Sequence, residues 1–384
     1  MQAMFWDETH HALKQSVDRW VSSHLTPHVE EWEESGGFPV ELYSQAADAG
    51  ILGIGYPEEF GGAGGDIFHA LIVCEALIRS GSPGTAVGLS SHSIAIPPIL
   101  ALGNTEQKQR FVPPVLGGEK IAALAITEPG AGSDVAGTRT SAVLDGDAYV
   151  LNGAKTFITS GVRADLVTVL ARTGEDRHGG LSLFVVEKST PGFTVGRPLK
   201  KMGWWASDTG ELFFQDCRVP ADNLLGAEGD GFIGTMANFV AERLSLAASC
   251  VSIAQLALDE SVRYVQEREA FGRTLAGFQV TRHKLAEMAT RTTAARAFVS
   301  TIAARHRDGE DVTSDVAMAK NAAVDACSFV TDAAVQLHGG MGYMRESLVE
   351  RLYRDARLYP IGGGTTEIMR ELISRRLLAQ SSTS

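Results

Sequence analysis

Residues 231–267 run for 37 positions without a proline, and 15 in succession, 244–258, carry no charge. Apolar side chains recur around Phe232, Met236, Phe239 and Leu246 at helical spacing. A helix uncharged for about four turns needs other helices on most of its sides. The C-terminal part of the chain, 228–384, is therefore expected to be an α-helical bundle. Gly339 and Gly340 supply a stop for the helix before them.

The N-terminal part, 1–120, also reads as helical. Segments 9–32, 39–49 and 68–80 place apolar residues at helical spacing between Gly and Pro clusters, and 82–105 reads as a buried helix pair. Between the helical parts, in 121–227, the period changes to two. Strands are expected at 148–151, 156–159, 166–171, 181–187 and 212–216. Asn152-Gly153 is a dipeptide of two-residue type I′ turns, so the first two strands should form a hairpin. The fold class is thus α+β: a helical part, a small antiparallel barrel or sandwich, and a helical bundle.

At 384 residues the chain can bury a large core. Its 34 basic and 46 acidic residues give a net charge of −12, which argues against nucleic acid or an anionic membrane as partner. Cys74, Cys217, Cys250 and Cys327 are far apart and form no C-x-x-C pair, so neither a disulfide framework nor a metal site is expected. That usage fits a reducing cytoplasm. The start, MQAMFWDETH, lacks the basic and apolar regions of a secretory leader, and no membrane insertion is expected.

Four segments carry candidate chemistry. The first, 125–137, reads AITEPGAGSDVAG. Its Gly130, Ala131, Gly132 and Ser133 leave the backbone bare enough for a flat ligand to collect N–H groups, and Thr127 and Ser133 add hydroxyl donors. A lone TEPG tetrapeptide would read as a turn; the whole string resembles the first signature of the acyl-CoA dehydrogenase family, where it holds flavin and the acyl thioester. The second is Phe157-Ile158-Thr159, similar to the family tripeptide that packs on the flavin ring, with Phe157 standing where tryptophan is more usual. The third, Arg268-Glu269-Ala270-Phe271-Gly272 with Phe278-Gln279, resembles the element whose arginine meets the flavin pyrophosphate of a neighbouring subunit. The fourth, Gln336-Leu337-His338-Gly339-Gly340, resembles the segment that approaches the adenosine pyrophosphate part of FAD. His338, in a last helical turn, reads as structural through the helix dipole.

The resemblance covers about residue 10 to residue 378 and is nearest in pattern to the long-chain and isovaleryl-CoA branch. It implies the family fold, with an N-terminal helical domain (1–120), a β domain (121–227) and a C-terminal four-helix bundle (228–384). It also implies FAD as cofactor, with Ile126, Thr127, Gly132, Ser133, Phe157, Ile158, Thr159, Arg268, Phe271, Gln279, Gln336, Gly339, Gly340, Thr365 and Glu367 as candidate contacts. The activity implied is α,β-dehydrogenation of an acyl-CoA in fatty-acid β-oxidation. The implied partners are electron-transfer flavoprotein and further copies of the chain, as a homotetramer.

One position departs from the common pattern. In Pro360-Ile361-Gly362-Gly363-Gly364-Thr365, the place of the usual catalytic glutamate is Gly363, which has no proton-accepting side chain. Glu242, before Arg243-Leu244, matches the glutamate that long-chain and isovaleryl-CoA dehydrogenases carry on the long helix. On that helix it shares a face with Asn238, Phe239, Ser245 and Leu246, beside the uncharged run, where desolvation raises a carboxyl pKa toward that of a useful base. The plain alternative is a surface pair of Glu242 with Arg243. Ser133, Arg243, Gly363 and Gly364 are the candidate substrate contacts. The loop glycines are expected to leave volume for medium-to-long or methyl-branched chains, with Trp204 and Trp205 as bulky counterweights. Two rival readings are a dehydrogenase of carrier-protein-bound acyl or aminoacyl thioesters and a non-catalytic acyl-CoA-binding protein.

Overall fold

The computed structural model describes residues 5–381. The start MQAMFWDETH, read above as lacking the regions of a leader, therefore lies partly outside the described residues. The first helix, α1 (Glu8–His24), begins where Asp7 accepts from the N–H groups of Thr9 and His10. It stops short of the expected 9–32 because Pro27 lacks the N–H that would continue the ladder; a 3₁₀ turn, Thr26–His28, leads into α2 (Val29–Ser35). Then come α3 (Glu41–Asp48) and α4 (Ile67–Ile78). Five short helices follow: α5 (Pro83–Leu89), α6 (His92–Ala95), α7 (Pro97–Leu102), α8 (Thr105–Phe111) and α9 (Pro113–Leu116). The expected helix pair at 82–105 is thus three short helices, divided near Ser90 and Ile96.

The caps of α1 and α4 interlock. Asp66 caps α4 as Asp7 caps α1; His10 Nε2 lies 3.0 Å from Asp66 Oδ1, and His69 Nε2 lies 3.0 Å from Thr9 Oγ1. This is the one cluster of metal-ligand type among the described residues. Every ring nitrogen in it already has a capping partner.

The middle region is an eight-stranded sheet ordered β6-β7-β3-β2-β4-β5-β8, with β1 paired to β4. Its strands are β1 (Ala122–Ala125), β2 (Ser141–Asp145), β3 (Ala148–Thr159), β4 (Leu166–Arg172), β5 (Leu181–Glu187), β6 (Phe193–Val195), β7 (Thr209–Pro220) and β8 (Leu224–Leu225). All ladders are antiparallel except β1 with β4 and the single bridge of β2 to β4. The sheet is therefore mixed.

Asn152-Gly153 does not make the expected hairpin. β3 runs unbroken across it because both halves pair with the 12-residue β7, and the register shift there is a bulge in β7, where Gln215 and Asp216 face Asn152 alone. A Cβ on Gly153 would lie 2.5 Å from Thr140 Oγ1, so only glycine fits there. The hairpin is one turn earlier, at Gly146-Asp147, where Asp145 faces Ala148 and Gly146 has φ +65°.

The C-terminal part holds α10 (Gly231–Glu267), the two-residue strands β9 (Glu269–Ala270) and β10 (Arg273–Thr274), α11 (Gln279–Arg307), α12 (Thr313–His338), α13 (Leu348–Ala356) and α14 (Thr366–Ser381). Helix α10 is long and apolar enough to cross a membrane. Here its uncharged run is buried instead: Leu244, Ala247, Val251, Ala254 and Leu258 join one core with Phe68 and Leu71 of α4 and Val316, Ala323 and Val330 of α12. Helices α10, α11, α12 and α14 form the bundle around α12. A second core lies within the sheet, and a third joins β4 and β5 to the short helices α6–α9.

Candidate active site

Glu242 lies about a third of the way along α10 and meets the loop before α14. A Cβ placed on Gly363 would stand 3.4 Å from Glu242 Oε1 and 3.7 Å from Lys320 Nζ. The carboxylate on the helix thus reaches the point from which a loop side chain at 363 would start. Glu242 Oε2 is sealed from solvent, and neither oxygen hydrogen-bonds among the described residues. Burial pushes the carboxyl above its ordinary value, and the charges of Arg243 and Lys320 pull it partly back. The surface pair with Arg243 does not form. Arg243 is buried, its Nε lies 3.4 Å from Gly363 O, and its guanidinium stacks on Phe239 at 4.9 Å. Asn238, expected on the same face, has its side chain outside the described residues.

Lys320, on α12, was not legible as a site residue. It is 1 % exposed, and its Nζ lies 2.5 Å from both Gly362 O and Gly364 O. Two buried cations therefore hold three consecutive loop carbonyls. A planar peptide points its N–H away from its C=O, so each hold turns an N–H away from the cation. The N–H groups of Gly363, Gly364 and Thr365 make no hydrogen bond among the described residues. With φ of +64° at Gly363 and +89° at Gly364, the loop resembles the backbone nests that bind anionic oxygen. The signal in the sequence was a lone lysine in the apolar run 316–324.

The expectation of free volume at Gly363 is corrected. Leu246 Cδ1 would lie 2.3 Å from a Cβ there, so that side of the loop is filled from α10. Thr365 and Glu367, candidate cofactor contacts, stand at the start of α14, where Thr365 Oγ1 accepts from Ile368 N at 3.2 Å and Glu367 lies in the first turn. Trp204 is buried edge-on against Tyr359 with centroids 5.6 Å apart, and Trp205 is stacked between Arg345 and Arg354.

The signature loop and the Phe157 tripeptide come together: Thr156 N donates to Thr127 O at 2.9 Å. Lys155 organises this corner from inside the sheet. It is fully buried, with Nζ 2.8 Å from Glu128 Oε1 and 3.0 Å from Ile126 O. Glu128 also accepts from the N–H groups of Arg139 and Thr140. Burial pushes the Lys155 ammonium down to about 8 while Glu128 raises it. Burial pushes the Glu128 carboxyl up, and Lys155 with the backbone donors more than reverses that. Beyond this clamp the loop is bare. The N–H groups of Gly130, Gly132 and Ser133 are free of hydrogen bonds among the described residues, and Phe157 is 68 % exposed, with φ +60°. Ile158 is buried and Thr159 half-buried. Free donors beside an exposed aromatic face fit a flat ring bearing carbonyls.

The remaining candidates lie elsewhere. Arg268 follows Glu242 by 26 residues of helix, about 39 Å along its axis. Tyr264 stacks on His338 at 4.1 Å, which brings the Arg268 segment beside Gln336, Gly339 and Gly340. Arg268, Phe271, Gln279 and Gln336 are exposed, and the Arg268 guanidinium has no ion pair among the described residues. His338 is structural, through burial rather than the dipole. Burial lowers its pKa, and Nδ1 lies 2.8 Å from Ala334 O.

Family models described as acyl-CoA dehydrogenase N-terminal, middle and C-terminal domains match residues 7–119, 123–217 and 229–378. The mitochondrial long-chain specific acyl-CoA dehydrogenase of Sus scrofa is 43% identical over 373 residues, 96% of this chain and 86% of that protein. The crystal structure of a probable acyl-CoA dehydrogenase from Mycobacterium abscessus matches with a TM-score of 0.95 at 51% identity, over 97% of this chain and 99% of that one. An acyl-CoA dehydrogenase complexed with FAD, from Bacillus anthracis, matches with a TM-score of 0.92 at 32% identity, over 99% of this chain and 68% of that one. The family models and these likenesses extend over all three regions of the fold, and the chain belongs to the acyl-CoA dehydrogenase family, whose members are flavin-dependent oxidoreductases that bind FAD.

Proposed function

We propose that this chain dehydrogenates an acyl-CoA thioester between its α- and β-carbons, with Glu242 as the base that takes the α-proton. The observation that carries the reading is the position of the Glu242 carboxylate beside Gly363, unpaired and desolvated. A carboxylate free of hydrogen bonds keeps its lone pairs for substrate. Burial favours its neutral form, so accepting a proton is easier there than in water.

The α-proton of a thioester is weakly acidic, and its loss places negative charge on the carbonyl oxygen. The free N–H groups of Gly363 and Gly364 are donors for that oxygen, held in place because Lys320 and Arg243 grip the carbonyls on the other side of the loop. FAD, when bound, supplies the two-electron acceptor for the hydrogen leaving the β-carbon. The residues that would hold it are those of the bare loop, Gly130, Gly132 and Ser133, with the exposed face of Phe157. Arg268, some 39 Å of helix from Glu242, fits a role at the cofactor of another copy of the chain, and a homotetramer is proposed on that ground. Electron-transfer flavoprotein is the proposed acceptor for the reduced cofactor.

The test is direct. Denaturing the purified protein should release about one FAD per chain. Anaerobic addition of acyl-CoA should bleach the flavin and yield the 2-enoyl-CoA, two hydrogens lighter. A set of chain lengths, with a carrier-protein thioester alongside, identifies the substrate. Release of no flavin, or bleaching by none of these thioesters, would overturn the proposal.

A further inference from the structure

Lys320 is costly to bury. It is the charged residue of an apolar stretch of α12, it is 1 % exposed, and it has no ion pair within 4.0 Å among the described residues. Two of its three N–H groups are used on Gly362 O and Gly364 O. Neutral donors could hold two carbonyls without a desolvated charge, so loop anchoring alone does not account for an ammonium. The charge has a further neighbour. Glu242 Oε1 and Lys320 Nζ stand 3.4 and 3.7 Å from one shared point, the Cβ position of Gly363. The carboxylate and the ammonium are thus no more than about 7 Å apart and form no ion pair.

We infer that Lys320 is a positioning residue for proton abstraction: its charge keeps Glu242 ionised, while its grip on the two carbonyls presents the loop N–H groups to the thioester oxygen. This rests on Glu242 being the base. At such a distance in a desolvated site a positive charge is felt strongly, because little water screens it. Direct contact would pair Glu242 and lower its reach for a proton. With Nζ taken up by the two loop carbonyls, the charge acts on Glu242 through space instead.

The other titratable groups facing Lys320 are Arg243 and Cys250, both on α10. Arg243 stays charged throughout and also favours the ionised carboxylate. The Cys250 thiol is pushed up by burial, so it stays neutral across the working range. Burial pushes Lys320 itself down to about 8. Its loss of charge in mildly alkaline solution leaves Glu242 ionised but weakens the hold on the two loop carbonyls, because a neutral amine is the weaker donor.

The experiment is the pH profile of anaerobic flavin bleaching by acyl-CoA, measured on FAD-loaded wild type, Lys320→Met, Lys320→Gln and Lys320→Arg. In Lys320→Met and Lys320→Gln the apparent pKa of the acid limb should rise by about one pH unit or more, with the rate loss largest at low pH. Lys320→Arg should keep the acid limb where wild type has it and should lose any alkaline fall that wild type shows near 8. A uniform loss of rate with an unmoved acid limb would overturn the inference and leave Lys320 as an anchor only. If Lys320→Met fails to fold, the wild type and Lys320→Arg comparison decides: an alkaline limb identical in both overturns it. Failure of the Glu242 assignment is distinguishable, because Glu242→Gln would then bleach near the wild-type rate whatever happens at Lys320.

Discussion

Moving the base from the helix to the loop, in E242G/G363E, tests the packing that fixes its present place. A side chain at 363 must accept φ +64°, which costs roughly 1–2 kcal/mol for an L-residue. Its Cβ would lie 2.3 Å from Leu246 Cδ1, so Leu246 must leave its rotamer or the loop must move, at about 0.5–1.5 kcal/mol. Loop movement is opposed by Lys320 and Arg243, which hold the carbonyls of residues 362–364. Some 2–3 kcal/mol therefore works against the productive loop, a loss of roughly 30- to 150-fold in rate. Adding L246A removes the contact and leaves the backbone cost, so E242G/G363E/L246A should regain roughly 2- to 12-fold. Stopped-flow bleaching under anaerobic conditions reads the rates, with FAD content per chain as control. A double variant within tenfold of wild type, with Leu246 intact, would show that Leu246 does not occupy that space.

Lys155→Met leaves Glu128 buried without its ammonium, a change that typically costs about 3–5 kcal/mol; FAD retention and thermal midpoint should both fall, and K155M/E128Q should lose less than K155M. Equal retention in K155M and wild type would refute the clamp. Asp355 is fully buried near Glu33, and burial raises its carboxyl to about 7. Its contribution to stability is complete below its unfolded value of about 3.9 and is lost as pH rises through about 7. Asp355→Asn stays neutral and can still accept from Trp204 N, so its thermal midpoint should gain on wild type between about pH 5 and about pH 8; parallel curves would contradict this. Light scattering should give a tetramer, and Arg268→Ala should loosen FAD without moving the pKa of Glu242. A strict monomer that holds FAD tightly would contradict the role given to Arg268.

The order of helical, β and helical parts was legible because hydrophobic period is set locally. The bounds of α10 followed from its missing prolines and its uncharged run. Where sequence reading failed, a partner elsewhere in the chain decided. Asn152-Gly153 carries hairpin chemistry, yet β7 pairs along both sides of it and takes up the register shift in a bulge of its own. The segment 9–32 has helical period throughout, yet Pro27 breaks it.

In the candidate site, Glu242 and Gly363 could be matched because an absent side chain in one motif pointed to a present one in another. Lys320 and Lys155 could not, since each acts on backbone carbonyls and carboxylates that only the fold brings near. The volume expected beside Gly363 was misjudged for the same reason. Nothing in PIGGGTTE records that Leu246, from a helix more than a hundred residues earlier, fills it.

The central claim is that Glu242 accepts the α-proton. Glu242→Gln keeps the size and shape of the side chain and removes its basicity. Single-turnover anaerobic bleaching of FAD-loaded E242Q by a saturating acyl-CoA should slow by at least about 10²- to 10⁴-fold, with FAD content and thioester binding unchanged. Bleaching within tenfold of wild type would contradict the assignment and send the search for the base to another residue.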